Sequence, residues 1–109
     1  MIEIAANFAQ VDVVKFQKRN NKILYSEDEY NSPHPVPENS YGNTYGEHRD
    51  YLEFDIKVHK KLKEVCKKNK IEYSCSVWDT ESAKEIISLR PEIIKIPSAH
   101  NLDFPLLDV

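Results

Sequence analysis

Two short runs of β-branched and aromatic residues, each with a lysine set into it, organise the pattern of this chain. In the first, Asp12–Gln17, Val13, Lys15 and Gln17 alternate with Val14 and Phe16, the period-two signature of a strand with two unlike faces. Val14 and Phe16 are expected to pack under helices, leaving Lys15 and Gln17 on an interior polar face. The second, Ile93–Pro97 within the proline-bounded stretch Pro91–Ser98, is short and Ile-rich and predicts a buried strand. A third strand is predicted over Ile71–Trp78, with Tyr73, Cys75 and Val77 on one face and Ser74, Ser76 and Trp78 on the other. Helical patterns separate them. One runs from an Asp55 N-cap to about Asn69 with an apolar stripe of Ile56, Val58, Leu62, Val65 and Cys66. Another runs from an Asp79 or Thr80 cap to about Leu89, with Glu81 placed for its first turn. Met1–Gln10 reads as the end of a helix feeding the first strand, and Asn101–Val109 as a further short helical or loop segment.

Between Lys18 and about Asp50 no period holds. Asn, Ser, Pro and Gly punctuate the stretch, so it reads as one long loop. Loops of that length are usually functional or disordered. Tyr25, Tyr30, Tyr41, Tyr45 and Tyr51 favour an ordered lid, because aromatics are scarce in disordered segments. Helices alternating with strands imply parallel strands joined by crossovers, and such sheets bind ligands at the carboxyl ends of their strands. Gln17, the long loop, Asp79 and Ser98 fall at that edge, with Lys15 and Lys95 just below it.

The chain has 109 residues, the size of one domain, with 40% hydrophobic and 30% charged residues, as in a globular protein. A net charge of −3 argues against a nucleic-acid polycation. The lysines of the helix after Asp55 (Lys60, Lys61, Lys63, Lys67, Lys68 and Lys70) read as a solvated helix face. No apolar run is long enough for a membrane span and no leader pattern opens the chain, so the expected compartment is the cytoplasm. Cys66 and Cys75 lack metal-type spacing and read as reduced core thiols. The remaining chemistry sits on the strand lysines. A lysine within a buried strand is costly without a counter-charge, and neither strand places an acid near its lysine on the same face. The pair suggests a site for an anion.

Several motifs resemble the N-acetylneuraminate (sialic acid) synthase family. They are Val13-Val14-Lys15-Phe16-Gln17-Lys18-Arg19, Thr44-Tyr45-Gly46-Glu47-His48-Arg49 with Leu52-Glu53-Phe54, Ser76-Val77-Trp78-Asp79, and Ile94-Lys95-Ile96-Pro97-Ser98. The resemblance implies an α/β fold of parallel (β/α) units, part of a TIM-type barrel with about three strands present. It implies enzymes that condense phosphoenolpyruvate with an N-acetylated hexosamine, using a divalent metal (Mn or Mg), to give a nonulosonic acid. Phosphoenolpyruvate binding then falls to Lys15, Gln17, Lys95 and Ser98, with Ser74 and Ser76 as weaker candidates.

Where some members carry a sugar-contacting glutamate, this chain has His100, which leaves the aminosugar open. A barrel of this type needs about 200 residues or more. The chain is therefore expected to cover its second to fourth strands and to lack synthase turnover alone, with the family's catalytic acid and metal-binding histidines lying outside it. No residue here is assigned a catalytic role. His34, His48, His59 and His100 are not read as metal ligands; His59 is expected on a helix surface and His48 in the lid. Glu47 and Glu53 read as solvated or lid-anchoring acids. A homodimer is an expected assembly of the full-length form. The rival reading is a non-catalytic anion-binding or assembly module that completes a barrel with another chain.

Overall fold

The computed structural model describes residues 1–109. Three parallel strands, β1 (Val13–Lys18), β2 (Glu72–Val77) and β3 (Ile93–Lys95), form one sheet in the order β1-β2-β3. The helix α1 (Ile2–Asn7) leads into β1. After β1 come α2 (Asn21–Leu24), α3 (Glu27–Asn31), a 3₁₀ turn (Pro37–Asn39) and α4 (Tyr45–Leu52). The crossover helices α5 (Ile56–Lys68) and α6 (Thr80–Ser88) precede β2 and β3, and a 3₁₀ turn (Ser98–His100) and α7 (Phe104–Leu107) complete the chain. Alternating strands and helices thus give the parallel α/β sheet that the pattern predicts, a sheet open at both edges and consistent with part of a TIM-type barrel.

The local chemistry of the elements follows the sequence. Asp55 caps α5 by accepting from Val58 N–H at 2.8 Å, and Asp79 caps α6 by accepting from Ser82 N–H at 2.8 Å. At the far end of α5, Lys70 N–H donates to the Lys67 carbonyl and Ile71 N–H to the Cys66 carbonyl, with Lys70 left-handed at φ 58°. That is a Schellman closure with a lysine in the position glycine usually takes. The sixth helix ends on Arg90, also left-handed, whose carbonyl and that of Leu89 accept from the Lys63 ammonium.

The crossover helices pack on one side of the sheet. Phe16 and Val14 of β1, Tyr73, Cys75 and Val77 of β2 and Ile94 of β3 pack with Cys66, Leu62 and Val65 of α5 and Ala83 and Ile86 of α6. On the other side Lys15, Gln17, Ile93 and Lys95 are exposed, while Ser74 and Ser76 of the central strand are buried. The radius of gyration, 15.3 Å, exceeds the roughly 13 Å of a compact chain of this length, in keeping with a layer left bare. The strand expected to be buried around Lys95 is therefore buried on one face alone, and Ile93 is 49% exposed.

Three further expectations need correction. The segment from Lys18 to Asp50 is not a single loop, since it holds three short helices and a 3₁₀ turn. These helices are too short for an apolar period and are tied by polar contacts. Asp50 accepts from both Asn21 Nδ2 and the Tyr30 hydroxyl, and the Tyr30 ring lies so close to Gly46 that a Cβ there would sit 2.2 Å from it. Lys18 belongs to β1, not to the loop; it is buried on the helix side, with its ammonium 2.9 Å from Glu85 of α6. His59 is a core residue with no exposed surface rather than a surface one. The two cysteines are buried free thiols, and burial raises both, that of Cys75 to about 11.

Candidate functional site

Register decides which side chains share the open face. Lys15 is paired with Ser74 and Ser74 with Ile93; Gln17 is paired with Ser76 and Ser76 with Lys95. Partners across a parallel ladder point to the same side, and i, i+2 residues do so along a strand. Lys15, Gln17, Ser74, Ser76 and Lys95 thus lie on the face turned away from α5 and α6. The two lysines stand diagonally across β2, with the serines between them. From strand spacing and rise their Cα atoms are about 12 Å apart, within reach of two four-carbon stems turned inward.

The electrostatics of the two faces contrast. Lys18, on the covered face, has the Glu85 carboxylate at 2.9 Å. Lys15 and Lys95 have no carboxylate within salt-bridge distance. Between them Ser74 donates its hydroxyl to the Ile93 carbonyl at 3.0 Å, while the Ser76 hydroxyl makes no protein hydrogen bond. Two exposed cations without counter-charges make a surface able to bind an anion.

Ser98 is placed differently. It opens the 3₁₀ turn three residues beyond Lys95, exposed at the carboxyl end of β3, and its hydroxyl has no protein partner. The structure brings Lys15, Gln17 and Lys95 to one face and leaves Ser98 at its rim.

That rim is built by residues just past each strand. Gln17 Oε1 accepts from Arg19 Nη2 at 2.7 Å and from Trp78 Nε1 at 3.0 Å, and the Arg19 guanidinium lies 4.7 Å over the Trp78 ring. His100 meets the indole edge to face, at 5.6 Å, with its Nδ1 3.3 Å from Asp103 Oδ2. Glu53 receives Arg19 twice, from the backbone N–H at 3.2 Å and as an ion pair with Nε at 2.9 Å. Burial pushes the Glu53 carboxyl above its usual range, against the pull of Arg19. A cleft of about 300 Å³ beside β1 is lined by Lys15, Gln17, Arg19, Arg49, Glu53 and Phe54, among others. Neither Arg19 nor Trp78 is among the expected site residues; the signal that marks them is their place immediately after two strand ends.

Other candidates take structural work. Asp79 is buried and holds three donors, Ser82 N–H, the Ser82 hydroxyl and Asn20 N–H at 2.7 Å, so it joins the turn after β1 to α6. Glu47 accepts from Asn43 N–H at 2.7 Å within the segment between β1 and α5. His34 and His48 meet edge to face at 4.3 Å, and each uses Nδ1 to accept a backbone N–H. No three His, Cys, Asp or Glu side chains converge in a way that would hold a metal ion, so the residues present do not fit the divalent metal that the resemblance implies. No helix is long and apolar enough to cross a membrane.

Residues 1–109 match the NeuB family. The chain is 32% identical over 94 residues to an N-acetylneuraminate-9-phosphate synthase of Drosophila melanogaster, covering 86% of this chain and 25% of that protein. It is 28% identical over 97 residues to an enzyme of the same name from Mus musculus, covering 89% and 27%. It is 32% identical over 107 residues to an N,N'-diacetyllegionaminic acid synthase of Campylobacter jejuni, covering 98% and 32%. The chain spans about a quarter to a third of the length of the curated relatives it matches.

Proposed function

The chain belongs to the NeuB family, and on that premise we propose that it supplies the phosphoenolpyruvate-binding strands of a nonulosonic acid synthase. In this reading the whole enzyme condenses phosphoenolpyruvate with an N-acetylated hexosamine of the N-acetylmannosamine type. The product is N-acetylneuraminate or a related acid; the names of the relatives, one for a sialic acid phosphate and one for a legionaminic acid, leave the sugar open.

The observation that supports it is the pair of strand lysines on one face without carboxylate partners. Phosphoenolpyruvate carries a carboxylate and a phosphate on adjacent groups, so two separated ammonium groups can each neutralise one end. Lys15 and Lys95 take those roles, Ser98 donates a hydroxyl to the phosphate from the rim, and Gln17 is a polar contact beside them. Cations and donors fixed before the reaction stabilise a polyanion and the charge that shifts as its carbon attacks. The divalent metal expected for the full-length enzyme finds no donor set here, so no step is assigned to it. By the same reading the chain turns over no substrate alone.

Calorimetric titration tests the assignment. Phosphoenolpyruvate is expected to bind one site more tightly than phosphate or pyruvate, each of which engages only one lysine. Equal affinity for phosphate and phosphoenolpyruvate would count against it. The bare face and the unpaired outer edges of β1 and β3 also suit an assembly module that completes a barrel with another chain. Sedimentation equilibrium giving a stable dimer that binds no phosphoenolpyruvate would favour that second reading.

A further inference from the structure

The contacts around Gln17 determine more than its position. Its Oε1 accepts from a guanidinium nitrogen of Arg19 and from the indole nitrogen of Trp78. Guanidinium and indole N–H groups can only donate. The oxygen of the Gln17 amide must therefore face them, so the amide has one orientation on chemical grounds. Both lone pairs of Oε1 are used, and Nε2 has no hydrogen-bond partner in the protein. Alternation along β1 places Gln17 on the open face, in one row with Ser76 and Lys95. Its two free N–H donors thus belong to the face that carries the lysines.

The geometry points to Arg19 and Trp78 as positioning residues that lock the Gln17 amide as a hydrogen-bond donor toward an oxygen of the bound ligand. This deepens the anion-site reading and rests on it. Neither residue needs to touch the ligand. Without them the amide could present either edge, and its oxygen would repel an oxyanion where its N–H groups attract one. Two donors on Oε1, one of them charged, also polarise the amide and strengthen the outward N–H groups. Arg19 is itself held by Glu53 and by the Trp78 ring, so the lock is anchored to the residues that follow α4 and β2.

Two substitutions separate locking from folding. Arg19→Lys keeps a cation beside Glu53 and loses the fork that reaches Gln17. Trp78→Phe keeps a ring under the guanidinium and loses the N–H. In the ¹⁵N-labelled chain, the Gln17 side-chain amide pair is expected to be rigid and displaced from free-amide positions. In either variant it should move to free-amide positions and gain mobility. The affinity for phosphoenolpyruvate should fall about three- to tenfold, the equivalent of one hydrogen bond. Gln17→Glu keeps acceptors for Arg19 and Trp78 but removes the donors, so it should weaken binding further with the melting temperature preserved.

Unchanged Gln17 amide signals in both variants would overturn the proposal. So would unchanged phosphoenolpyruvate affinity in Gln17→Glu when Lys95→Ala lowers it. If Lys95→Ala also leaves the affinity unchanged, the anion-site reading fails, and the lock is then decided by the amide signals.

Discussion

Lowering the pH from 7.5 to 5 acts on a buried histidine in the middle of the core. His59 has no exposed surface, its Nδ1 is 2.7 Å from the Tyr73 hydroxyl, and Phe16 and Phe54 meet it edge to face. Its Nε2 has no partner. Protonation would put a full charge on a ring whose second nitrogen is dry. Burial, helped by the nearby Lys18 charge, lowers its pKa to about 4, with Glu85 and Asp55 pulling weakly the other way. The unfolded chain keeps the ordinary value of about 6.5. The folded state therefore binds fewer protons between the two values, and stability falls as the pH drops through that window. Integrating the two titrations gives a loss of about 2 kcal/mol at pH 5 and about 3 kcal/mol well below pH 4. For a chain of this size the loss at pH 5 lowers the melting temperature by roughly 10 °C. Scanning calorimetry at pH 7.5 and pH 5 measures it, with His59→Leu as the reference. The raised Glu53 carboxyl works in the opposite direction, binding its proton more readily when folded, but it does so in both proteins and cancels in their difference. The leucine variant should lose most of the pH dependence. An equal fall in wild type and variant would refute the reasoning.

Asp79→Ala should cost about 2–3 kcal/mol in urea unfolding, because it removes the α6 cap and leaves buried donors from Asn20 and Ser82 unpaired. Lys70→Gly should raise stability by about 0.5–1 kcal/mol, since glycine relieves the left-handed strain at φ 58° and loses part of the gain to unfolded-state entropy. A thiol reagent at pH 8 should modify neither Cys66 nor Cys75 until the chain unfolds, after which both react; a fast native phase would contradict their burial.

The sheet was legible because its signals are local. Val14 and Phe16 alternate with Lys15 and Gln17, Tyr73, Cys75 and Val77 with Ser74 and Ser76, and Asp55 and Asp79 sit where caps belong. From that alternation follows the shared face of Lys15, Gln17 and Lys95. What stayed hidden depends on contacts distant in sequence. His59 follows Ile56 by three and precedes Leu62 by three, so it lies on the buried stripe, yet its polarity masks a site made apolar by Phe16, Phe54 and Tyr73. Lys18 resembles the start of a loop until Glu85 is brought beside it from α6. The short helices between β1 and α5 are fixed by knots such as Asp50 with Tyr30 and Asn21, for which a hydrophobic period carries no trace. The third strand stops at Lys95, ahead of Pro97, which has no N–H to continue a ladder.

Phosphoenolpyruvate titrated into the protein and its Lys15→Ala, Lys95→Ala and Lys57→Ala variants tests the shared-face site most directly. Each strand lysine makes a charge-assisted contact, so either truncation should weaken a single site about tenfold or more, while Lys57, exposed on α5, should not matter. Affinity that survives the loss of Lys15 or Lys95, or that falls equally with Lys57→Ala, would contradict the account.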